Sequence, residues 1–176
     1  TRIYFGSQRV WRSDNRGDSW QAVSGDLTRN QERIELPIMG KTWGWDAPWD
    51  MYAMSTYNTI TSLAESSLDP LRLVAGAGRA RVSLTSDGGE TWHAAGEGLA
   101  ERHLRRVVTS HHDAERVYVC LSGQGQGDHR AYLYRSDDFG QSWTDLGRGL
   151  PDAPVNVVVE DPAADGRLYL GSDLGV

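Results

Sequence analysis

SDNRGDSW (Ser13–Trp20), TSDGGETW (Thr85–Trp92) and SDDFGQSW (Ser136–Trp143) are three copies of one eight-residue pattern, Ser/Thr-x-Asp/Asn-x-Gly-x-Ser/Thr-Trp. Each closes a segment rich in β-branched and aromatic residues, and each fixed position has a physical role in a tight hairpin turn. Asp87, Asp138 and, as a substitute, Asn15 can fold a side-chain oxygen back onto turn amides. Gly17, Gly89 and Gly140 can take the positive φ that other residues resist. Ser19, Thr91 and Ser142 add a hydroxyl to the same turn. Trp20, Trp92 and Trp143 then begin the next strand with a large apolar ring that needs a layer to pack against. These rings are expected to be largely buried between sheets.

The repeat continues outward from the turns. Upstream lie RIYFG from Arg2, RLVAG from Arg72, RVYVC from Arg116 and RLYLG from Arg167. Further apolar runs begin at Ile60, Leu104 and Val155, and each precedes its arginine by 12 residues (60 to 72, 104 to 116, 155 to 167). A unit of about 45–50 residues with four short strands is the signature of a β-propeller blade. We name the strands A (the runs at Ile60, Leu104 and Val155), B (the arginine runs), C (running into the turn) and D (from the tryptophan). The chain is therefore read as an all-β partial propeller of about three four-stranded antiparallel blades. Residues 1–28 are the end of a blade, 29–58 an insert, 59–103 and 104–154 two blades, and 155–176 the start of another. Open strand edges near Tyr4 and Leu170 imply either the remaining blades of a longer chain or self-association. The ragged ends favour a fragment.

Composition agrees with many short strands and narrows the function. The 176 residues include 20 Gly, 7 Trp and 7 Tyr. A net charge of −6 argues against nucleic acid and anionic membranes as partners. No apolar run approaches the roughly 18 residues that span a bilayer. The single Cys120 excludes an internal disulfide. It stands where other copies have Gly6, Gly76 and Gly171, which implies a small buried residue. No cofactor or metal site is expected: GQGQG (Gly123–Gly127) is followed by no lysine, and His111 and His112 fall in an A–B turn, opposite His129.

Two breaks in the repeat mark the candidate site. From Trp20 to the next A strand is 40 residues (20 to 60), against 12 from Trp92 to Leu104. That insert, Arg29–Asn58, carries Trp43, Trp45, Trp49, Tyr52 and Tyr57 beside Asp46 and Asp50. The second break is a polar B–C loop, SGQGQGDHR (Ser122–Arg130). In a four-stranded meander the C–D turns and A–B turns share one end, whereas B–C turns and D–A links share the other. Both breaks are thus expected opposite the repeated turns, around the mouth of the central channel. Trp43, Trp45, Trp49 and Tyr52 can stack on sugar rings while Asp46 and Asp50 bond hydroxyls or serve as catalytic carboxylates. Equally, the insert can be a lid whose aromatic residues pack on one another.

These turns resemble the Asp-box, or bacterial neuraminidase (BNR), repeats of sialidases, xyloglucanases, sortilin-type receptors and a photosystem assembly factor. More closely, RVWRSDNRGDSW, then SGDLTRNQERIELPIMGKTWGWDAPWD and YNTITSLAESSLDP, are similar to large secreted bacterial BNR-repeat proteins described as glycosyl-hydrolase-like or sortilin-like. The resemblance implies an extracellular or periplasmic protein. It also implies a glycan or polypeptide partner, with a sortilin-like interaction module as the alternative to a glycoside hydrolase-like one. No Arg-Ile-Pro motif occurs and Asn15 replaces an Asp, which argues against sialidase chemistry.

Overall fold

The computed structural model describes residues 2–31, 35–37, 39–44, 46–48 and 59–175. Among the described residues, short β-branched and aromatic runs separated by Gly- and Asp-rich turns form thirteen strands in four antiparallel sheets. The first sheet contains β1 (Ile3–Gly6), β2 (Val10–Ser13) and β3 (Gln21–Ala22). The second contains β4 (Ile60–Glu65), β5 (Leu73–Ala77), β6 (Arg81–Thr85) and β7 (His93–Ala94). The third contains β8 (His103–Thr109), β9 (Val117–Gly123), β10 (Asp128–Ser136) and β11 (Thr144–Asp145). The fourth is the pair β12 (Val155–Glu160) and β13 (Leu168–Ser172). Within each sheet the strands pair in sequence order, as in a propeller blade.

The repeated turns join β2 to β3, β6 to β7 and β10 to β11, and one hydrogen-bond plan builds all three. Hydroxyls of Ser13, Thr85 and Ser136 accept from the amides of Gly17 (2.8 Å), Gly89 (3.0 Å) and Gly140 (2.7 Å). The same hydroxyls donate to Asn15 (2.9 Å), Asp87 (2.6 Å) and Asp138 (2.7 Å). Those side chains in turn accept the amides of Ser19, Thr91 and Ser142. Asn15 fits because the last bond reverses: its Nδ2 donates to Ser19 Oγ at 2.9 Å, whereas the Ser142 hydroxyl donates to Asp138.

The tryptophans depart from expectation. Trp92 and Trp143 are half-buried and Trp20 is 44% exposed. The reason is position: the rings of Trp92 and Trp143 follow the turn into the last strand of their sheets and reach back one sheet. Trp92 Nε1 donates to Val23 O and Trp143 Nε1 to Ala95 O, both at 2.7 Å. Among the described residues no sheet stands before that of Trp20, whose ring is edge-on to Phe5 with centroids 6.3 Å apart.

The core is divided among the joints between consecutive sheets. Val10, Val23, Ile60 and Ala75 fill the first joint; Val82, Leu84, Leu104, Val119 and Tyr134 the second; Tyr118, Cys120, Leu133 and Val155 the third. Size matching sets each contact. A Cβ on Gly76 would come within 2.4 Å of Leu104 Cδ2, so the larger side chain is admitted only against glycine. Cys120 takes the glycine position where the facing residue is the smaller Val155, and its burial pushes the thiol up to about 12. An inert, packed thiol follows.

A polar pair seals the other end of two joints. Glu65, at the end of β4, accepts from Tyr4 (3.1 Å) and Arg2 (2.9 Å) in the sheet before it. Glu160, at the end of β12, is fully buried and accepts from Tyr118 (2.8 Å) and Ser110 (2.6 Å). Burial pushes its carboxyl up, but the Ser110 and Tyr118 hydroxyls and the His111 amide outweigh that and hold it below the usual range. The equivalent positions of the middle joint are Val74 and Thr109, an uncharged alternative.

Candidate functional site

Hydrogen bonds confirm the two-ended arrangement. The repeated turns touch the A–B turns of their own sheets, through Gly88 N to Leu71 O and Phe139 N to Glu115 O. At the opposite end the D–A links bind B–C turns, through Leu27 N to Gln8 O and Ala80 N to Arg102 O. The insert leaves from that second end. Arg29 Nη2 reaches Arg79 O at 3.4 Å, and Arg81 Nε donates to Leu27 O at 2.9 Å.

Of the residues proposed from sequence, Trp43 and Asp46 are described. Trp43 is half-buried, with Lys41 Nζ 4.4 Å from its ring centroid, a cation–π contact. Asp46 is exposed beside a tight turn closed by Ala47 N to Gly44 O (3.2 Å). Trp45, Trp49, Asp50 and Tyr52 lie outside the described residues.

The stretch read as a polar loop is mostly strand. β9 runs to Gly123 and β10 starts at Asp128, leaving one 3-10 turn, Gln124–Gln126, closed by Gly127 at φ 72°. Asp128 holds the extended hairpin. Its Oδ2 accepts from Arg102 Nη2 (2.8 Å), Arg130 Nη2 (3.1 Å) and the Tyr132 hydroxyl (2.6 Å). Arg130, Tyr132 and Arg102 together keep this carboxyl far below its usual range, so it stays ionised and is committed to its partners.

The sequence reading found the innermost strands but missed their bulges. β4, β8 and β12 each carry a β-bulge near the insert end, with register shifts between Ile60 and Ser62, Leu104 and Arg106, and Val155 and Val157. The extra residues are Thr61, Arg105 and Asn156. A bulge re-aims a side chain that alternation alone would place elsewhere. Two of these join a relay across the third joint. Arg105 Nη2 donates to Gln124 Oε1 (3.4 Å), Gln124 Nε2 to Asp173 Oδ2 (3.4 Å), and Asn156 Nδ2 to Asp173 Oδ1 (2.6 Å). The available signal was the polar residue one place after each apolar start.

This end therefore combines guanidinium and amide donors with committed carboxylates, and the insert that carries Trp43 departs from it. Such a set recognises a ligand carrying many hydroxyl or carboxylate oxygens. Among the described residues, no group of three His, Cys, Asp or Glu is arranged to hold a metal ion. A groove of about 680 Å³ lies at the repeated-turn end, between β3 and the Thr85–Trp92 turn. Its carboxylate Asp87 is tied into the turn by Thr85 and Thr91.

No protein-family model matches the chain, and no curated protein matches it. Solved structures do. An ancestral GH74 enzyme is similar over 98% of this chain and 20% of its own length, with a TM-score of 0.62 and 13% identity. The GH74 xyloglucanase from Xanthomonas campestris is similar over 97% of this chain and 25% of its own, with a TM-score of 0.56 and 19% identity. YCF48 bound to D1 peptide is similar over 94% of this chain and 42% of its own, with a TM-score of 0.53 and 14% identity. The chain thus has the propeller fold of these proteins and spans less than half the length of each.

Proposed function

We propose that the chain is part of a secreted bacterial BNR-repeat propeller, extracellular or periplasmic, that binds a glycan at its insert-bearing end. The observation that carries this reading is the contrast in repetition: three turns at one end follow one plan, while the insert that carries Trp43 and Asp46 leaves from the other end, where the Arg105–Asn156 relay lies. Indole faces beside hydroxyl-binding groups suit pyranose rings, and the fold likeness to GH74 enzymes supports a glycoside-hydrolase-like origin. Hydrolysis in addition to binding needs two carboxyl groups about 5–10 Å apart. Asp46 or Asp50 is the candidate for one of the two, and the sequence identifies no partner for it.

Titration with soluble polysaccharides, xyloglucan among them, should shift the tryptophan emission of the wild-type chain, and Trp43→Ala should weaken the response. An unchanged emission with every polysaccharide, and unchanged binding in Trp43→Ala, would sink the reading. The alternative, capture of a polypeptide as in a sortilin-like module, is favoured by the fold likeness to a peptide-bound YCF48. A response to extended peptides but to no polysaccharide would select it.

A further inference from the structure

The arginines without a carboxylate partner gather mainly at one end of the sheets. At the repeated-turn end Arg2, Arg12, Arg72, Arg116, Arg135 and Arg167 are all ion-paired, Arg16 being the exception. At the insert-bearing end Arg102 and Arg130 pair with Asp128, Arg29 with Glu101 and Arg148 with Asp145, whereas Arg9, Arg79, Arg81, Arg105 and Arg106 are exposed and have no carboxylate partner among the described residues. They are distributed over the B–C turns of the first two sheets and the innermost strand of the third. A guanidinium with no carboxylate beside it keeps donors available to an anionic ligand.

We propose that the ligand of this end is an acidic polysaccharide, its uronate carboxylates held by Arg105, Arg106 and Arg79. This proposal rests on the glycan reading above and adds the substrate class. A guanidinium matches a carboxylate through two parallel hydrogen bonds, a geometry that neutral sugars do not offer. The neighbouring groups argue for a sugar acid rather than a dense polyanion. Asp173 and Asp128 lie among the arginines and would repel a continuous run of phosphates or sulfates. Asn156 and Gln124 offer amides to hydroxyls. A polymer with one carboxylate and several hydroxyls per ring satisfies both sets. The overall charge argues against nucleic acid, but its uneven distribution leaves this end attractive to an anion of moderate charge density.

The test uses the whole 176-residue chain and compares polygalacturonate with neutral galactan by calorimetry and tryptophan emission. Polygalacturonate should bind at least about tenfold more tightly at low ionic strength and lose most of that advantage in 0.5 M NaCl, where the screening length falls to roughly 4 Å. Arg105→Ala combined with Arg106→Ala should remove about tenfold of the affinity, while Arg167→Ala at the other end should leave it intact. Should the double variant fail to fold, the salt dependence of the wild-type chain still decides. Equal binding of both polymers, insensitive to salt, would overturn the acidic class and leave the glycan reading standing. Binding of neither would overturn both. Binding of polyglutamate but not polygalacturonate would keep the cationic surface and overturn the sugar.

Discussion

At the end of the sheets that carries the repeated turns, polar groups answer one another in the same way three times. At the end that carries the insert, one link runs 40 residues where its counterpart runs 12, and five exposed arginines have no carboxylate partner among the described residues. The contrast separates residues that make the fold from residues the fold can spare. Asp87 and Asp138 look like catalytic carboxylates in composition, yet their lone pairs are spent on turn amides and hydroxyls. Arg105 and Asn156 belong to no motif, yet they stand on bulges of the innermost strands. A group free to act on a ligand is one that the scaffold does not already use.

The sharpest way to break this comparison is at the tryptophans. Trp143→Ala and Trp92→Ala each remove an indole that packs on the previous sheet and donates to its backbone. Urea unfolding should show a loss of about 3 kcal/mol for each, the lower part of the range for large-to-small core substitutions because the rings are only half-buried. Trp20→Ala should cost under about 1 kcal/mol. Equal costs at all three would erase the distinction between a filled joint and an open one. Next come the glycines. Gly140 sits at φ 84°, and an added Cβ would lie 2.3 Å from Leu84 Cδ1, so Gly140→Ala should destabilise by about 2 kcal/mol. Gly125 at the insert end has no atom within 4 Å of an added Cβ, and Gly125→Ala should change stability by less than about 0.5 kcal/mol.

Acid sharpens the comparison further. Hydrogen bonds from Ser142 and Ser136 lower the Asp138 carboxyl to about 2 from 3.8. A depressed folded-state value contributes stability that is present above about pH 4 and lost as the pH falls through 2. Asp138→Asn should therefore keep the turn at neutral pH, as Asn15 does in the first turn, and flatten the acid limb of a thermal-melting profile. An unchanged acid limb would show that the stability lies elsewhere. The smallest effect is expected at the ligand end: Arg79→Ala, which breaks no ion pair, should leave the melting temperature within about 1 °C of wild type.

The fold was legible because its information is local. The spacing from Ile60 to Arg72, repeated at Leu104 and Val155, places β4, β5, β8, β9, β12 and β13, since turn chemistry and strand length both act over a few residues. Burial of the tryptophans was not legible, because it depends on which sheet stands before each ring. The length of β9 and β10 was hidden for a similar reason: Ser122–Arg130 is polar and Gly-rich, and the clamp that holds it as strand comes from Arg102 in a different connection. The bulges at Thr61, Arg105 and Asn156 break alternation by one residue, which a hydrophobic pattern does not register. Arginine pairs that cross between sheets, such as Arg2–Glu65 and Arg116–Glu160, join residues far apart in the chain and escape a reading along it.

The Tyr–Glu joints have a consequence for ancestry. Blades that arise by copying are interchangeable when new, and homologous exchange between copies can shuffle, drop or duplicate them. Here the first and third joints require a tyrosine before and a glutamate after, while the middle joint pairs Val74 with Thr109. An exchange that set the Glu160 strand against Val74 would bury a carboxylate without its tyrosine, at a cost of several kcal/mol. A chain with its second and third sheets exchanged should accordingly melt far below the natural order. The repeats are thus no longer spare parts for one another: each carries the address of its neighbour, and the order of the blades is written into their edges.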